Sequence, residues 1–490
     1  MIKAFGALRP WLPGLVGLGA AYHIHNNTLH SYLAPTIKDE KETSVISFHS
    51  NRSRRAVVIG AGVAGISSAY ELHQNGFDVI VVDASIGGPG TECSAVAAGG
   101  MQRANPVVDR KSWRAISSNL FFGSEFRYFY IDWIKALTDP HFARWSLSFA
   151  YNSLVQPKSL LRQQDEMLKF TDWAIAQFAL DRTLAPVVKE SQIANRGALV
   201  LNKTVPSKYC QEQNVELLDT TAKIYSVEPF AKQWSPETSH AIYQPDASSG
   251  NSELFTKGLA QWLEKKDNVK FLCQTPVKKF HYQGNRVTAI ELEKNMRIDL
   301  NEQGDELVIA AGSWTPKLLW QLNEYVPIYP LKGYCLQIPN EQKTQIKGIF
   351  SDGVTYFSRL GKDLRITAIG EFAGWDTTPT ESVNAVFRNY VETKGIKLEG
   401  IPTRCGLRPM SADGAVIAGK LVGWENVSIN TGPGSNGWKI ALGAAKVLVH
   451  DMIPDSSLDT MPFDQSTLSP EGRVKSTLLW SKLCLWRHGS

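Results

Sequence analysis

The sequence lacks the patterns of a metal-binding, disulfide-linked or membrane-spanning protein. Its six cysteines are widely spaced, and the sequence has no C-x-x-C motif and no Cys/His cluster at metal-ligand spacing. It has no run of about 18 apolar residues, the length that a transmembrane helix requires. We therefore expect no metal site, no disulfide framework and no transmembrane helix.

A strong charge of one sign is also missing. The 52 Lys and Arg residues exceed the 47 Asp and Glu residues by only five, which argues against nucleic acid as a partner. With 43% hydrophobic and 20% charged residues, the composition is that of a folded globular protein. The length of 490 residues allows about two to four domains.

Acidic residues are absent from the first 38 positions, which contain Lys3, Arg9 and Lys38 around an apolar stretch broken by Pro and Gly. This composition is typical of a mitochondrial transit peptide. A secretory signal or short membrane anchor, and an ordinary disordered tail, are the alternatives. We expect residues 1–53 to be a targeting segment and linker, and the protein to be mitochondrial.

The C-terminal tail, residues 456–490, has basic residues around an apolar face at helical spacing: Lys475, Leu479, Lys482, Leu483, Trp486 and Arg487. A basic segment with Trp and Leu suits peripheral contact with a membrane surface. A short helix packed on the protein's own surface is the alternative.

A dinucleotide site is indicated near the start of the folded part. The apolar run 56–59 reads as a buried strand, and a helical stretch follows the glycine motif, which comprises Gly60, Ala61, Gly62, Val63, Ala64 and Gly65. The glycines permit a tight turn, close approach of a pyrophosphate, and close packing of helix on strand. Asp83, followed by Ala84, ends the next strand 23 positions after Gly60. We expect Asp83 to accept the hydroxyls of an adenosine ribose and to disfavour NADP.

Three further segments favour FAD over NAD. Each is rich in small residues that let the backbone lie close to a large flat ring. The first contains Cys93, Ser94, Gly99, Gly100 and Met101, and the second contains Ala311 and Gly312 after a buried strand. The third follows Gly406–Gly414 and forms a second glycine-rich helix start, with Gly432, Gly434, Ser435, Asn436, Gly437, Trp438 and Lys439.

Together these segments resemble the D-amino-acid oxidase superfamily of FAD-dependent oxidoreductases, and within it the D-amino-acid dehydrogenases. The resemblance runs from about Arg55 to about Ile453 and includes the segments 326–334 and 365–372. It implies an α/β fold, in which a Rossmann-like FAD-binding domain is interleaved with an α+β substrate domain built on a mainly antiparallel sheet. The FAD-binding parts would be 54–104, 245–323 and 400–455, and the substrate-domain parts 105–244 and 324–399. Val277 would contact the adenine.

The implied activity is FAD-dependent oxidative deamination, most simply of D-amino acids to 2-oxo acids, by hydride transfer from the substrate Cα to flavin N5. Arg408 matches the carboxylate-binding arginine of the superfamily. A planar guanidinium suits this role, because it can bind a carboxylate through two hydrogen bonds. Tyr356 and Tyr334 are candidates for sharing the carboxylate or closing the pocket, although either could be a core tyrosine. Lys439 could place a positive charge near the flavin, or lie on a solvated helix face.

The residues leave several alternatives open. Glycine, sarcosine, proline or another secondary amino acid could be the substrate. The electron acceptor could be a quinone, another carrier, or oxygen. Pro433 stands where the family usually has His, which raises a third alternative, an FAD-binding scaffold without turnover.

Overall fold

The computed structural model describes residues 44–48, 54–102, 128–154, 157–201, 214–300, 303–341, 344–453 and 461–476. Most of the predicted targeting segment and the end of the C-terminal tail lie outside these ranges, and the predictions made for them stay predictions. Among the described helices, none combines the length and apolar character needed to cross a bilayer.

The described strands and helices are numbered separately along the chain. The strands are β1 (Ser44–Val45), β2 (Arg55–Ile59), β3 (Asp78–Val82), β4 (Phe129–Ile131), β5 (Ala194–Asn195), β6 (Ala198–Leu201), β7 (Glu216–Leu218), β8 (Ala241–Gln244), β9 (Ser248–Ser249), β10 (Val269–Leu272), β11 (Val277–Gln283), β12 (Arg286–Leu292), β13 (Met296–Asp299), β14 (Asp305–Ile309), β15 (Glu324–Tyr325), β16 (Ile328–Ile338), β17 (Ile349–Ser351), β18 (Tyr356–Leu360), β19 (Asp363–Phe372), β20 (Thr403–Ser411), β21 (Ile417–Lys420), β22 (Val427–Thr431) and β23 (Lys475–Ser476). The helices are α1 (Val63–Gln74), α2 (Trp133–Thr138), α3 (Pro140–Leu154), α4 (Pro157–Leu180), α5 (Ala185–Glu190), α6 (Thr221–Val227), α7 (Phe230–Trp234), α8 (Ser252–Glu264), α9 (Thr315–Trp320), α10 (Glu381–Thr393) and α11 (Gly437–Met452).

A six-stranded sheet forms the nucleotide-binding half, with the strand order β10-β3-β2-β14-β22-β21. Its pairs are parallel except for the edge pair β21–β22. Strands β2, β3, β14 and β22 are almost entirely buried, as expected for parallel strands that are covered on both faces. Helices α1, α8 and α11 share one apolar core with this sheet. The four-stranded sheet β1-β13-β12-β11 and helix α9 share a second core with its other face.

A nine-stranded sheet forms the other half, in the order β20-β16-β19-β18-β17-β6-β8-β7, with β4 paired to β19. Its pairs are antiparallel except β17–β6 and β19–β4. Helices α6, α7 and α10 share an apolar core with it. The predicted fold class is thus confirmed, with a parallel Rossmann-like sheet and a mainly antiparallel one.

The chain passes between the two sheets several times, because strands of the first sheet come from residues 55–82, 269–309 and 417–431. One predicted boundary differs from the structure. The sequence predicts that the FAD-binding part resumes at residue 400, but β20 (residues 403–411) pairs with β16 along nine residues of the antiparallel sheet. This pairing places Arg408 between the two halves.

Candidate active site

A cavity of about 1090 Å³ runs between the two sheets. This volume slightly exceeds the range of about 300 to 1,000 Å³ that is usual for ligand pockets. The glycine motif, Asp83 and Val277 line one end, and Arg408, Tyr356 and Trp375 line the other. The site therefore lies at the carboxyl ends of parallel strands, where open α/β sheets bind ligands.

The glycine motif turns the chain from β2 into α1. Gly60 has φ +110°, and a Cβ there would lie 2.6 Å from the carbonyl oxygen of Ala310. A Cβ on Gly65 would overlap the carbonyl oxygen of Gly60, whereas one on Gly62 would meet only Ser94 Oγ at 3.5 Å. The first and third glycines thus shape the turn, and the second borders open cavity. Helix α1 begins without a side-chain cap or an acidic first turn, which suits an anionic phosphate group.

Asp83 follows β3 and faces the adenosine end of the cavity. Its carboxylate accepts hydrogen bonds from the backbone N–H groups of Ala61 (2.6 Å) and Ser85 (2.7 Å). Burial raises the pKa of Asp83, and these two hydrogen bonds oppose the shift. Ala84 and Val277 line the same end.

The small-residue loop that follows lines the middle of the cavity with Cys93, Ser94, Gly99 and Gly100. Ser94 Oγ accepts the N–H of Val63 at 3.0 Å and so joins the loop to the glycine motif. Behind the loop, the buried guanidinium of Arg365 donates to the carbonyl oxygen of Ala97 at 2.6 Å. The backbone of the loop is therefore held against the antiparallel sheet.

The second glycine-rich segment, residues 433–439, closes the cavity at the start of α11 together with Ala311 and Gly312. Lys439 is buried, and its ammonium group donates to the backbone carbonyl of Gln102 at 2.8 Å. Burial lowers the pKa of Lys439 to about 8. The prediction of an inward-facing lysine agrees with this geometry, and the solvated helix face does not. Pro433 lies in the turn and its carbonyl accepts the N–H of Asn436 at 3.0 Å.

Arg408 projects from β20 into the far end of the cavity. Its guanidinium lies across Gly333 of β16, where a Cβ would lie 2.5 to 2.8 Å from three guanidinium atoms. Burial lowers the pKa of Arg408, and neither an ion pair nor a hydrogen bond joins its guanidinium to any of the residues that the structure describes. The thiols of Cys93, Cys335 and Cys405 interact with it electrostatically and oppose this shift. A guanidinium that has no ion pair and no hydrogen bond within the described protein can bind an anion in the cavity.

Tyr356 lies beside Gly100 at the same end. A hydrogen bond joins its hydroxyl group to the side-chain amide of Gln102, and burial raises the pKa of Tyr356. A side chain on Gly100 would overlap this hydroxyl. Tyr356 and Lys439 are therefore linked through one residue, Gln102.

Four predicted residues do not line the cavity. Tyr334 lies on the opposite face of β16, where its hydroxyl donates to Glu371 at 2.6 Å within an apolar core. The prediction that it contacts the substrate is wrong, since side chains alternate across a strand and Gly333 occupies the cavity side. Met101 is buried in the apolar core that α1, α8 and α11 share with the six-stranded sheet. Gly65 packs against Gly60, and Gly432 packs against Ile328 and Ser411.

Sequence reasoning missed several residues of the cavity wall: Gln102, Tyr128, Phe129, Gly333, Thr367, Ile369, Trp375 and Pro409. Ile369 is the most unusual, with φ +56° in a β-branched residue. It is the extra residue of a bulge, because Gly333 pairs with Gly370 whereas Tyr334 pairs with Ala368. Such strain is common at functional sites.

Comparison with known proteins identifies the family. The FAD dependent oxidoreductase (DAO) family matches residues 55–450. The chain belongs to this family. It is 28% identical over 421 residues to a D-amino acid dehydrogenase of Granulibacter bethesdensis, which covers 81% of this chain and 95% of that protein.

Solved structures show the same fold at lower identity. A glycine oxidase from Bacillus cereus matches 81% of this chain and 94% of its own, with a TM-score of 0.55 and 18% identity. An L-proline dehydrogenase from P. horikoshii matches 84% and 95%, with a TM-score of 0.58 and 15% identity.

The protein is thus an FAD-dependent oxidoreductase, and its cavity fits that cofactor. Two buried polar atoms of the wall, Gln102 Oε1 and Trp438 Nε1, have no hydrogen-bond partner among the described residues. Two helix starts without side-chain caps, those of α1 and α11, border the same cavity. The residues that would hold the dinucleotide are the glycine motif, Asp83, the small-residue loop and the segment 433–439.

Proposed function

We propose that the protein oxidises α-amino acids, with D-amino acids as the leading substrates, to 2-oxo acids. The observation that carries this proposal is the Arg408 guanidinium, which is partly buried in the cavity wall and has neither an ion pair nor a hydrogen bond among the described residues. A partly buried cation without an anionic partner favours an anionic ligand, and a bidentate carboxylate would supply both charge and hydrogen bonds. Arg408 would then fix the α-carboxylate of the substrate.

The residues around Arg408 would orient the rest of the substrate. Tyr128, Phe129 and Trp375 line this end of the cavity and would exclude water from it. The bound flavin would supply the hydride acceptor. Lys439 and the start of α11 add positive potential to the same cavity.

A protein base is not needed for this chemistry. Of the described residues that line the cavity, only Asp83 and Glu92 are carboxylates, and both belong to the adenosine end. Deprotonated amine would supply the electron pair that drives loss of the Cα hydride, and water would hydrolyse the imine that results. The cavity is therefore suited to positioning rather than to acid–base catalysis.

The named relatives support this substrate class and leave a second candidate. The D-amino acid dehydrogenase of G. bethesdensis aligns with most of this chain. The structures that share the fold include a glycine oxidase and an L-proline dehydrogenase, so glycine, sarcosine and proline are the second set to test. For the electron acceptor, a quinone or another carrier and oxygen are both candidates.

The proposal is tested by mixing the purified flavoprotein anaerobically with D-amino acids, and with L-amino acids, glycine, sarcosine and L-proline. The flavin absorbance should be lost with at least one D-amino acid. Arg408→Lys keeps the charge but loses the planar fork, and should bind this substrate more weakly than wild type but better than Arg408→Met. A protein whose flavin no amino acid reduces would instead be a scaffold.

We also propose mitochondrial import for the protein, supported by the acid-free composition of residues 1–38. Fractionation of cells that express the full chain, alongside a chain beginning at residue 44, tests this. Residence outside mitochondria for the full chain would contradict it.

A further inference from the structure

The end of the cavity that holds Arg408 is positively charged. Arg408 and Lys317 both line the cavity, and Lys317 contacts Trp375, which lines the Arg408 end. Among the described residues that line the cavity, the carboxylates are Asp83 and Glu92, and both belong to the adenosine end. A ligand that binds beside Arg408 therefore meets cationic side chains and no described carboxylate in the wall.

Lys317 lies at the mouth of the cavity. It belongs to α9 and is exposed to solvent. Its ammonium group lies 4.0 Å from the ring centroid of Trp375 and 5.0 Å from that of Trp314, and both rings line the cavity. Within the described part of the chain, the ammonium group has no hydrogen bond and no ion pair. An ammonium group can donate three hydrogen bonds, so those of Lys317 are available to a ligand.

A short series of contacts joins Lys317 to the wall that carries Arg408. Next to Arg408 on β20, the backbone carbonyl of Leu407 accepts a hydrogen bond from the Ser313 hydroxyl at 3.1 Å. The backbone carbonyl of Ser313 accepts the indole N–H of Trp375 at 2.9 Å, and the Trp375 ring contacts the Lys317 ammonium group. The two cations therefore belong to one wall of the cavity, and a tryptophan ring lies between them in this series.

The two carboxylates near the mouth have other partners. Asp139 accepts the hydroxyl of Tyr329 at 2.9 Å, and Asp376 forms an ion pair with Lys135 at 3.4 Å. Neither carboxylate lines the cavity, and neither forms an ion pair with Lys317. Asp139 acts on Lys317 only at longer range. The described structure therefore leaves Lys317 without a direct anionic partner.

Resting on the proposed function, we propose that the preferred substrates are D-amino acids with an acidic side chain. Arg408 binds the α-carboxylate, and Lys317 binds the carboxylate of the side chain. The methylene groups between them lie along the Trp375 ring. A neutral side chain leaves Lys317 without an anion, and a basic side chain adds a like charge that is repelled.

The test compares anaerobic flavin reduction of the full flavoprotein by D-glutamate and D-aspartate with that by D-glutamine and D-asparagine. Each amide matches its acid in shape and lacks the side-chain charge. We expect wild type to react at least about fivefold more efficiently with one of the acids than with its amide, the size of effect that one partly exposed ion pair supplies.

Variants of Lys317 separate its charge from its packing. Lys317→Gln should bring the ratio of acid to amide close to one, whereas Lys317→Arg keeps the charge and should retain the preference. Lys135→Gln is the matched control, because Lys135 is a half-exposed lysine paired with Asp376, the residue after Trp375, and does not line the cavity. It should keep the wild-type ratio. The melting temperature and flavin content of each variant check the fold.

The outcomes also separate this inference from the proposed function. A wild type that reacts with neutral D-amino acids as efficiently as with the acids would overturn the inference and leave the proposed function in place. A flavin that no amino acid reduces would overturn both. An undiminished preference in Lys317→Gln, or an equal loss in Lys135→Gln, would show that Lys317 does not bind the side-chain carboxylate.

Discussion

Gly333 is expected to set the position of the Arg408 guanidinium, and replacing it by alanine tests this. The new Cβ would lie 2.5 Å from a guanidinium nitrogen, whereas ordinary contacts begin at 3.4 Å. The guanidinium must therefore move by roughly 1 Å, and a misplacement of this size can slow a reaction about a hundredfold. The φ angle of Gly333 is not in the left-handed region, so the strand itself accepts alanine.

The assay is the rate of anaerobic flavin reduction at saturating substrate, measured by stopped flow together with the apparent substrate Kd. We expect Gly333→Ala to lower the rate about a hundredfold, with a melting temperature close to that of wild type. Gly258→Ala is the control, because its Cβ would meet only Val187 Cγ1 at 3.3 Å and Glu190 Oε2 at 3.9 Å, away from the cavity wall. A wild-type rate and Kd in Gly333→Ala would refute the assigned position of Arg408.

Three further predictions concern buried charge. Burial raises the pKa of Glu71 from 4.5 to about 7, so the free energy of unfolding falls as the pH rises from about 4.5 to about 7. Glu71→Gln should therefore raise the free energy of unfolding at pH 8 by up to about 3 kcal/mol. A stabilisation by Glu71→Gln that is no larger at pH 8 than at pH 5 would contradict this. Burial lowers the pKa of Lys439 to about 8, so the charged lysine destabilises the fold at pH 7. Lys439→Met should therefore raise the melting temperature at pH 7, and this gain should shrink toward pH 10. A gain in melting temperature that does not change with pH would argue against a buried charge. Lys332 forms an ion pair with Glu371 at 3.0 Å in the core, so Lys332→Met should lower the free energy of unfolding, measured by urea denaturation, by about 3–5 kcal/mol. The double variant Lys332→Met, Glu371→Leu should recover part of this loss. A double variant as unstable as Lys332→Met alone would exclude this explanation.

Local motifs made much of the fold and of the cofactor site predictable. The strand, glycine turn, helix and acidic residue are adjacent in sequence, and their conformations follow from short-range sterics. Arg408 was also predictable, because it lies within a motif. The contact of its guanidinium with Gly333 was not predictable, since this contact arises only from the pairing of β16 with β20.

The remaining differences come from long-range contacts. Tyr334 was misplaced because the sequence does not show which face of β16 meets the cavity. Gln102 carried no motif signal, and its importance comes from contacts with Tyr356 and Lys439, which are 254 and 337 positions away. The bulge at Ile369 depends on the register between β16 and β19, which a single β-branched residue does not reveal.

The central claim is that Arg408 recognises the carboxylate of an amino acid beside the flavin. It is tested most directly by comparing anaerobic flavin reduction by the best D-amino acid and by its carboxamide. Wild type should reduce its flavin with the acid at least about a hundredfold more efficiently than with the amide, and Arg408→Met should lose this preference while still binding FAD. Equal reaction of acid and amide in wild type, or an undiminished preference in Arg408→Met, would contradict the assignment.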